Sequence, residues 1–133
     1  MASTTPAGGP PAYRVAVVDG APGLRLPITA ALADRYILVQ GPNWEAMWSL
    51  LHEQPPDAVV LTDRVPDRPG LKVLRQMRDD TSLGTVPVLY VSADRRHAGA
   101  ATTAGAAACL VEPVGTLALR TAVERVLADT CAR

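Results

Sequence analysis

Four short apolar runs in this chain stop at residues that can do chemistry. Val15-Ala16-Val17-Val18 stops at Asp19-Gly20, and Ala58-Val59-Val60-Leu61 at Thr62-Asp63. Val86 to Val91 stops at Ser92-Ala93, and Ala108 to Val111 at Glu112-Pro113. Asp19 and Glu112 are hard carboxylates, and a converging pair of them would suit Mg²⁺ or Ca²⁺. A single pair is short of the ligands such a cation takes, and Arg64, Arg95 and Arg96 are competing partners for Glu112. A polar, salt-bridged pocket is the expectation, with Asp19 the one weak metal candidate and no bound cofactor. Thr62 and Ser92 bring hydroxyls, which are poor nucleophiles without an adjacent base. Asp63 is the neighbouring carboxylate. Strand side chains alternate faces, so Asp63 is expected to point away from a pocket that Thr62 faces.

The remaining reactive side chains read as structural. His52 and His97 are far apart and have no acidic partners at ligand spacing. Cys109, inside an apolar run, reads as a small core residue. Cys131, near the C-terminus, reads as a free thiol. Trp44 and Trp48 stand i, i+4 and share a helix face. Arg64, Arg68, Arg75, Arg78, Arg95 and Arg96 interleave with Asp63, Asp67, Asp79, Asp80 and Asp94, which predicts a mixed solvated surface.

Elements must bring these residues together, and the patterning supplies them. The runs at 15–18, 36–39, 58–61, 86–91 and 108–111 are continuously apolar, as strands buried on both faces are. Between them the spacing predicts helices over 24–33, 44–53, 71–77, 97–106 and 117–128. Pro27 fits a helix only in its first turn, where no N–H bond is lost. Strands alternating with helices imply a parallel sheet covered on both sides. In such open sheets the site lies at the carboxyl ends of the strands, where the strand order reverses. Asp19, Thr62, Ser92 and Glu112 all fall at such ends.

Composition excludes other classes. The chain has 133 residues, enough for one domain with its own core. Residues 1–12 carry no apolar periodicity and read as a flexible tail, leaving 13–133 as the domain. Thirteen basic residues balance thirteen acidic ones, which argues against direct nucleic-acid binding. No apolar run approaches the ~18 residues of a membrane span. Residues 1–14 lack the features of a signal peptide, so the expected location is cytoplasmic. With two cysteines there is neither a disulfide framework nor a zinc site.

Four segments together resemble the response-regulator receiver domain of two-component signalling: VAVVDG (15–20), PDAVVLTDRVPDRPGLKVLRQMR (56–78), VPVLYVSA (86–93) and AGAAACLVEP (104–113). The resemblance covers Tyr13 to about Ala128. It implies a flavodoxin-like, doubly wound (βα)₅ fold with a five-stranded parallel sheet. It also implies a phosphate-handling pocket in bacterial signalling. Two adjacent acids after the first strand help hold Mg²⁺. An Asp ending the third strand accepts the phosphoryl group, a Ser or Thr ending the fourth bonds it, and a Lys before Pro ending the fifth pairs with it.

This sequence departs from that set. Asp19 matches one acid, but Gly20 replaces the other. Counting back four residues from Pro66 and eight from Gly70 puts Thr62 at the acceptor position. Ser92 matches the switch hydroxyl, Glu112 replaces the Lys, and Cys109 replaces a switch aromatic. A Thr hydroxyl forms no acyl phosphate, and Glu112 repels phosphate. The expectation is an atypical, phosphorylation-independent receiver that is not an enzyme and acts through protein–protein contacts. With no phosphate for Ser92 to bond, Ser92→Ala is expected to leave partner binding nearly unchanged. The alternatives are a phosphoaccepting receiver that uses Asp63 with Mg²⁺, and a receiver gated by a small molecule. The resemblance places the partner or homodimer face on the fourth helix, fifth strand and fifth helix, with Arg120 and Arg125 at the contact.

Overall fold

The computed structural model describes residues 2–4, 13–19, 22–41, 43–63 and 69–131. Strands β1 (Ala2–Thr4), β2 (Arg14–Val18), β3 (Ile37–Gln40), β4 (Ala58–Thr62), β5 (Val88–Ser92) and β6 (Ala108–Val111) form one sheet. Helices α1 (Pro22–Leu32), α2 (Trp44–Glu53), α3 (Gly70–Asp79), α4 (Arg95–Thr103) and α5 (Thr116–Cys131) connect β2 to β6 and close the chain. The strand order is β1-β3-β2-β4-β5-β6. β2 through β6 pair in parallel, and this is the flavodoxin-like arrangement. The order reverses at β2, whose neighbours are β3 and β4, so the crevice opens beyond Asp19 and Thr62.

Alternation along the strands builds two cores. Val15, Val17, Leu38, Val60, Leu89 and Val91 pack against Ile28, Ala31 and Leu32 of α1 and Leu119, Val123, Val126 and Leu127 of α5. Ala16, Val18, Val39, Val59, Leu61, Val88 and Tyr90 pack against Trp44, Met47 and Leu51 of α2, Val73, Leu74 and Met77 of α3, and Ala101 of α4. Each large aliphatic side chain buried this way contributes roughly 1.5–3 kcal/mol. With no Phe in the chain, aliphatic residues carry nearly all of this burial.

Several sequence expectations need correction. Ala2–Thr4, read as part of a flexible tail, pairs antiparallel with β3, Ser3 opposite Val39. Edge pairing uses main-chain groups, so the lack of apolar periodicity gives no sign of it. Met1 and residues 5–12 lie outside the described residues. Pro27 lies inside α1, past its first turn. Its exposed ring costs one helical N–H bond, while Ile28, Ala31 and Leu32 are buried beyond it. The Trp pair divides its roles. Trp44 is buried and donates to Gln76 Oε1 at 3.3 Å, and half-buried Trp48 meets the His52 ring edge-on at 4.5 Å. His52 does have an acidic partner, with its Nε2 3.1 Å from Asp80 Oδ1. The Trp48 carbonyl first, then Asp80, hold the His52 pKa above its ordinary value.

Gly70 lets α3 start hard against the strand ends. A Cβ there would stand 2.5 Å from the Thr62 carbonyl oxygen and 2.6 Å from the Tyr90 hydroxyl. No larger residue fits without displacing the backbone that carries Thr62 and Asp63.

Candidate functional site

Thr62 ends the central strand β4, which lies between β2 and β5, and Asp63 follows directly. Alternation sends the two side chains to opposite faces of the sheet. Thr62 is fully buried, and its hydroxyl donates to Asp19 Oδ1 of β2's end at 2.8 Å. Asp19 is itself buried. A neutral hydroxyl thus stands beside a carboxylate at the position where the receiver pattern has a second carboxylate.

Asp63 turns the other way, toward β5. Thr62 pairs with Val91 in the ladder, so the next residue comes opposite Ser92. Asp63 Oδ2 accepts from the Ser92 hydroxyl at 2.6 Å, from the Ala93 N–H at 3.3 Å and from His97 Nδ1 at 3.3 Å. The expectation that Asp63 points away from Thr62's pocket holds as far as alternation goes. It missed that this direction leads to Ser92. His97 was read as having no acidic partner; α4 begins at Arg95 and brings it onto Asp63.

The electrostatics follow from these contacts. Burial works to raise the Asp63 pKa. The hydrogen bonds from Ser92, His97 and Ala93 outweigh it and hold the carboxyl below its ordinary value. Below Tyr90's end of the same face, burial first and Asp63's charge second push the Tyr90 phenol well above its ordinary value, so it stays neutral. The Ser92 hydroxyl has one proton and two acceptors, Asp63 Oδ2 and the Asp94 carbonyl at 2.8 Å. The shorter, charged acceptor is the stronger. Ser92 Oγ in turn accepts from the Asp94 N–H at 3.0 Å. Ser92 thus links Asp63 to both main-chain groups of Asp94.

Glu112 is half-buried beside this site, and its N–H donates to the Ser92 carbonyl at 2.9 Å. Gly20 and Arg64 lie outside the described residues. Cys109 bonds α4 through Sγ, 3.3 Å from the Ala98 carbonyl and 3.4 Å from Thr102 Oγ1. Arg120, expected from sequence at a partner contact, packs toward α1. Its Nε donates to the Ala31 carbonyl at 2.7 Å and its Nη2 lies 3.3 Å from Asp34 Oδ1, so it ties α5 to α1. Arg125, five residues on, is exposed on the other flank of the helix.

The receiver pattern carries Mg²⁺ between its acids, and the residues here do not fit that ion. Among the described residues no group of three or more His, Cys, Asp or Glu side chains is placed to hold a metal. Asp19 Oδ1 is engaged by Thr62, and position 20 has no side chain to coordinate. Mg²⁺ keeps several waters and is usually held by one or two carboxylates, and of the pattern's acid positions only Asp19 carries one here.

The chain is thus a doubly wound parallel sheet with acids and hydroxyls at its switch point. The family model described as the response regulator receiver domain matches residues 15–124, and the chain belongs to that family. It is a receiver domain of response-regulator signal transduction. Solved structures share the fold. The chemotaxis response regulator CheY4 of Vibrio cholerae aligns with TM-score 0.79 at 18% identity, covering 87% of this chain and 99% of that one. The signal receiver domain of a signal transduction histidine kinase from Syntrophus aciditrophicus aligns with TM-score 0.78 at 21% identity, covering 89% and 92%. NtrX from Brucella abortus aligns with TM-score 0.83 at 20% identity over 92% of this chain, which spans 28% of that one. No curated protein matches the chain. Among the described residues no helix is long and apolar enough to cross a membrane.

Proposed function

We propose that this receiver domain works without phosphoryl chemistry, as a protein–protein contact module of cytoplasmic signalling. The observation that carries this reading is the Thr62–Asp19 hydrogen bond. The acceptor position holds a buried hydroxyl spent on its neighbour, and no carboxylate there can form an acyl phosphate. Glu112 in place of a cation weakens any phosphate site further by like-charge repulsion. Asp63, the alternative acceptor, already has one carboxylate oxygen shared among three donors.

The contact surface in this reading is α4, β6 and α5. β6 is the outer strand of the sheet, and α4 presents exposed Gly99, Thr102 and Thr103. Small residues there permit close approach by another signalling protein or a second copy. Arg125 belongs to this surface and Arg120 does not.

Incubation with acetyl phosphate and Mg²⁺, read by intact mass, tests the reading. The expected spectrum shows the unmodified chain only. A Mg²⁺-dependent gain of one phosphoryl group would overturn it, and peptide mapping of that group to Asp63 would establish the phosphoaccepting alternative.

A further inference from the structure

The Ser92 hydroxyl, which in the receiver pattern awaits a phosphoryl oxygen, already has an anionic oxygen in front of it. We propose that the Asp63 carboxylate is a built-in substitute for the phosphoryl group, holding the β5–α4 turn and α4 in a single arrangement. The inference rests on the reading above and names how the same site is regulated: by a permanent internal anion in place of a transient one.

The geometry is that of an anion site. Three donors from three consecutive parts of the chain converge on one oxygen: a side-chain hydroxyl, a main-chain N–H and an imidazole nitrogen. Fixed donors of this kind around one anionic oxygen are how proteins hold phosphoryl groups. The Asp63 side chain reaches them because of ladder register, with β4 pairing β5 one residue earlier. His97 supplies the basic partner that position 112 lacks.

The contact also has a route outward. Ser92 Oγ is bonded to both the N–H and the carbonyl of Asp94. Asp94 is the N-cap of α4: its Oδ1 accepts from the Arg96 N–H at 2.9 Å, and its carbonyl accepts from the His97 N–H at 3.0 Å. Further along, α4 meets β6 through Cys109 and the Ala98 carbonyl. Displacing Asp63 therefore acts on the first turn of α4 and, through α4, on the face proposed for contact. A two-state element moves only when something interacts differently with its two states. Here a covalently attached carboxylate supplies that difference at all times.

Amide NMR with hydrogen exchange on the full chain tests this, using Asp63→Ala, Asp63→Asn and Ser92→Ala. In Asp63→Ala the Ala93 amide should exchange about 10-fold faster or more, as a charged acceptor is lost. Shifts of residues 94–103 and of Cys109 should move with it. Ser92→Ala should move the same residues in the same direction. Asp63→Asn, a neutral acceptor of the same shape, should fall between and serves as the folded reference if Asp63→Ala is unstable. Perturbation confined to the immediate neighbours of residue 63, or a movement of α4 in the Asp63 variants that Ser92→Ala does not reproduce, would overturn the inference. Either result without phosphoryl uptake by the unmodified chain leaves the phosphorylation-independent reading intact. Phosphoryl uptake in the mass experiment removes that reading itself.

Discussion

Thr62→Asp is expected to destabilise the domain by about 3–4 kcal/mol at neutral pH and to leave it unphosphorylated. The new carboxylate would stand beside Asp19, at the place where a hydroxyl now donates at 2.8 Å. Two like charges about 4 Å apart at an effective dielectric of about 20 cost about 4 kcal/mol. Protonating one of them caps the loss at a similar value, since each pKa unit above the unfolded ~3.9 is worth 1.36 kcal/mol, or about 4 kcal/mol up to pH 7. The folded pKa is raised, so the penalty is full above it, shrinks as pH falls, and is absent below about pH 4. Urea unfolding at pH 7 and at pH 4 measures it. A variant equally destabilised at both pH values would place the cost in packing and not in charge. Phosphoryl uptake should stay absent because Gly20 supplies no second acid and Glu112 no cation. The triple variant Gly20→Asp, Thr62→Asp, Glu112→Lys restores each missing group and should take up phosphate better than the single one.

Arg78→Ala should cost about 3 kcal/mol. The Arg78 guanidinium donates from Nη1 to the Gly84 carbonyl at 3.1 Å and from Nη2 to the Val86 carbonyl. Charged hydrogen bonds of this kind contribute about 1.5–3 kcal/mol. Its stem also lies over Gly105, whose φ of 110° and missing side chain leave the space; a Cβ there would be 2.9 Å from Arg78 Cδ. Burial lowers the pKa of the guanidinium. The loop it braces leads into β5, which ends at Ser92. Arg78→Lys should recover less than half the loss, because one ammonium nitrogen lacks the rigid planar fork that sends Nη1 and Nη2 to separate carbonyls. Urea unfolding of the two variants decides this; full recovery by Lys would mean that charge and stem, not the fork, matter. Within the mixed surface expected from sequence, Arg78 is partly buried by these contacts.

The fold was legible because its signals are local. Continuous apolar runs mark β2, β4 and β5, which are buried along almost their whole length, and the i, i+3, i+4 pattern marks α2 at its observed bounds. Counting back from Pro66 and Gly70 gave the expectation that Thr62 stands at the acceptor position, and Gly70 has a steric reason to be where it is. β1 was not legible because it binds through main-chain groups alone. The partnership of Asp63, Ser92 and His97 was not legible either, since it joins residues 29 and 34 positions apart through strand order. One signal could have found it: an acid directly after β4 on the same alternate face as Ser92, with a histidine one turn into the next helix. The packing of Arg120 was not legible for a similar reason. Spacing locates it on α5, but only the α1–α5 packing shows that it faces Ala31 and Asp34.

The central claim is that no phosphoryl group enters this pocket, and beryllofluoride, which mimics an aspartyl phosphate, tests it most directly. Amide spectra are recorded with Mg²⁺ as beryllofluoride is added. With Thr62 bonded to Asp19 and Ser92 bonded to Asp63, the resonances of Thr62, Asp63, Ser92 and Ala93 should not move. Saturable, Mg²⁺-dependent shifts at those four residues would contradict the claim.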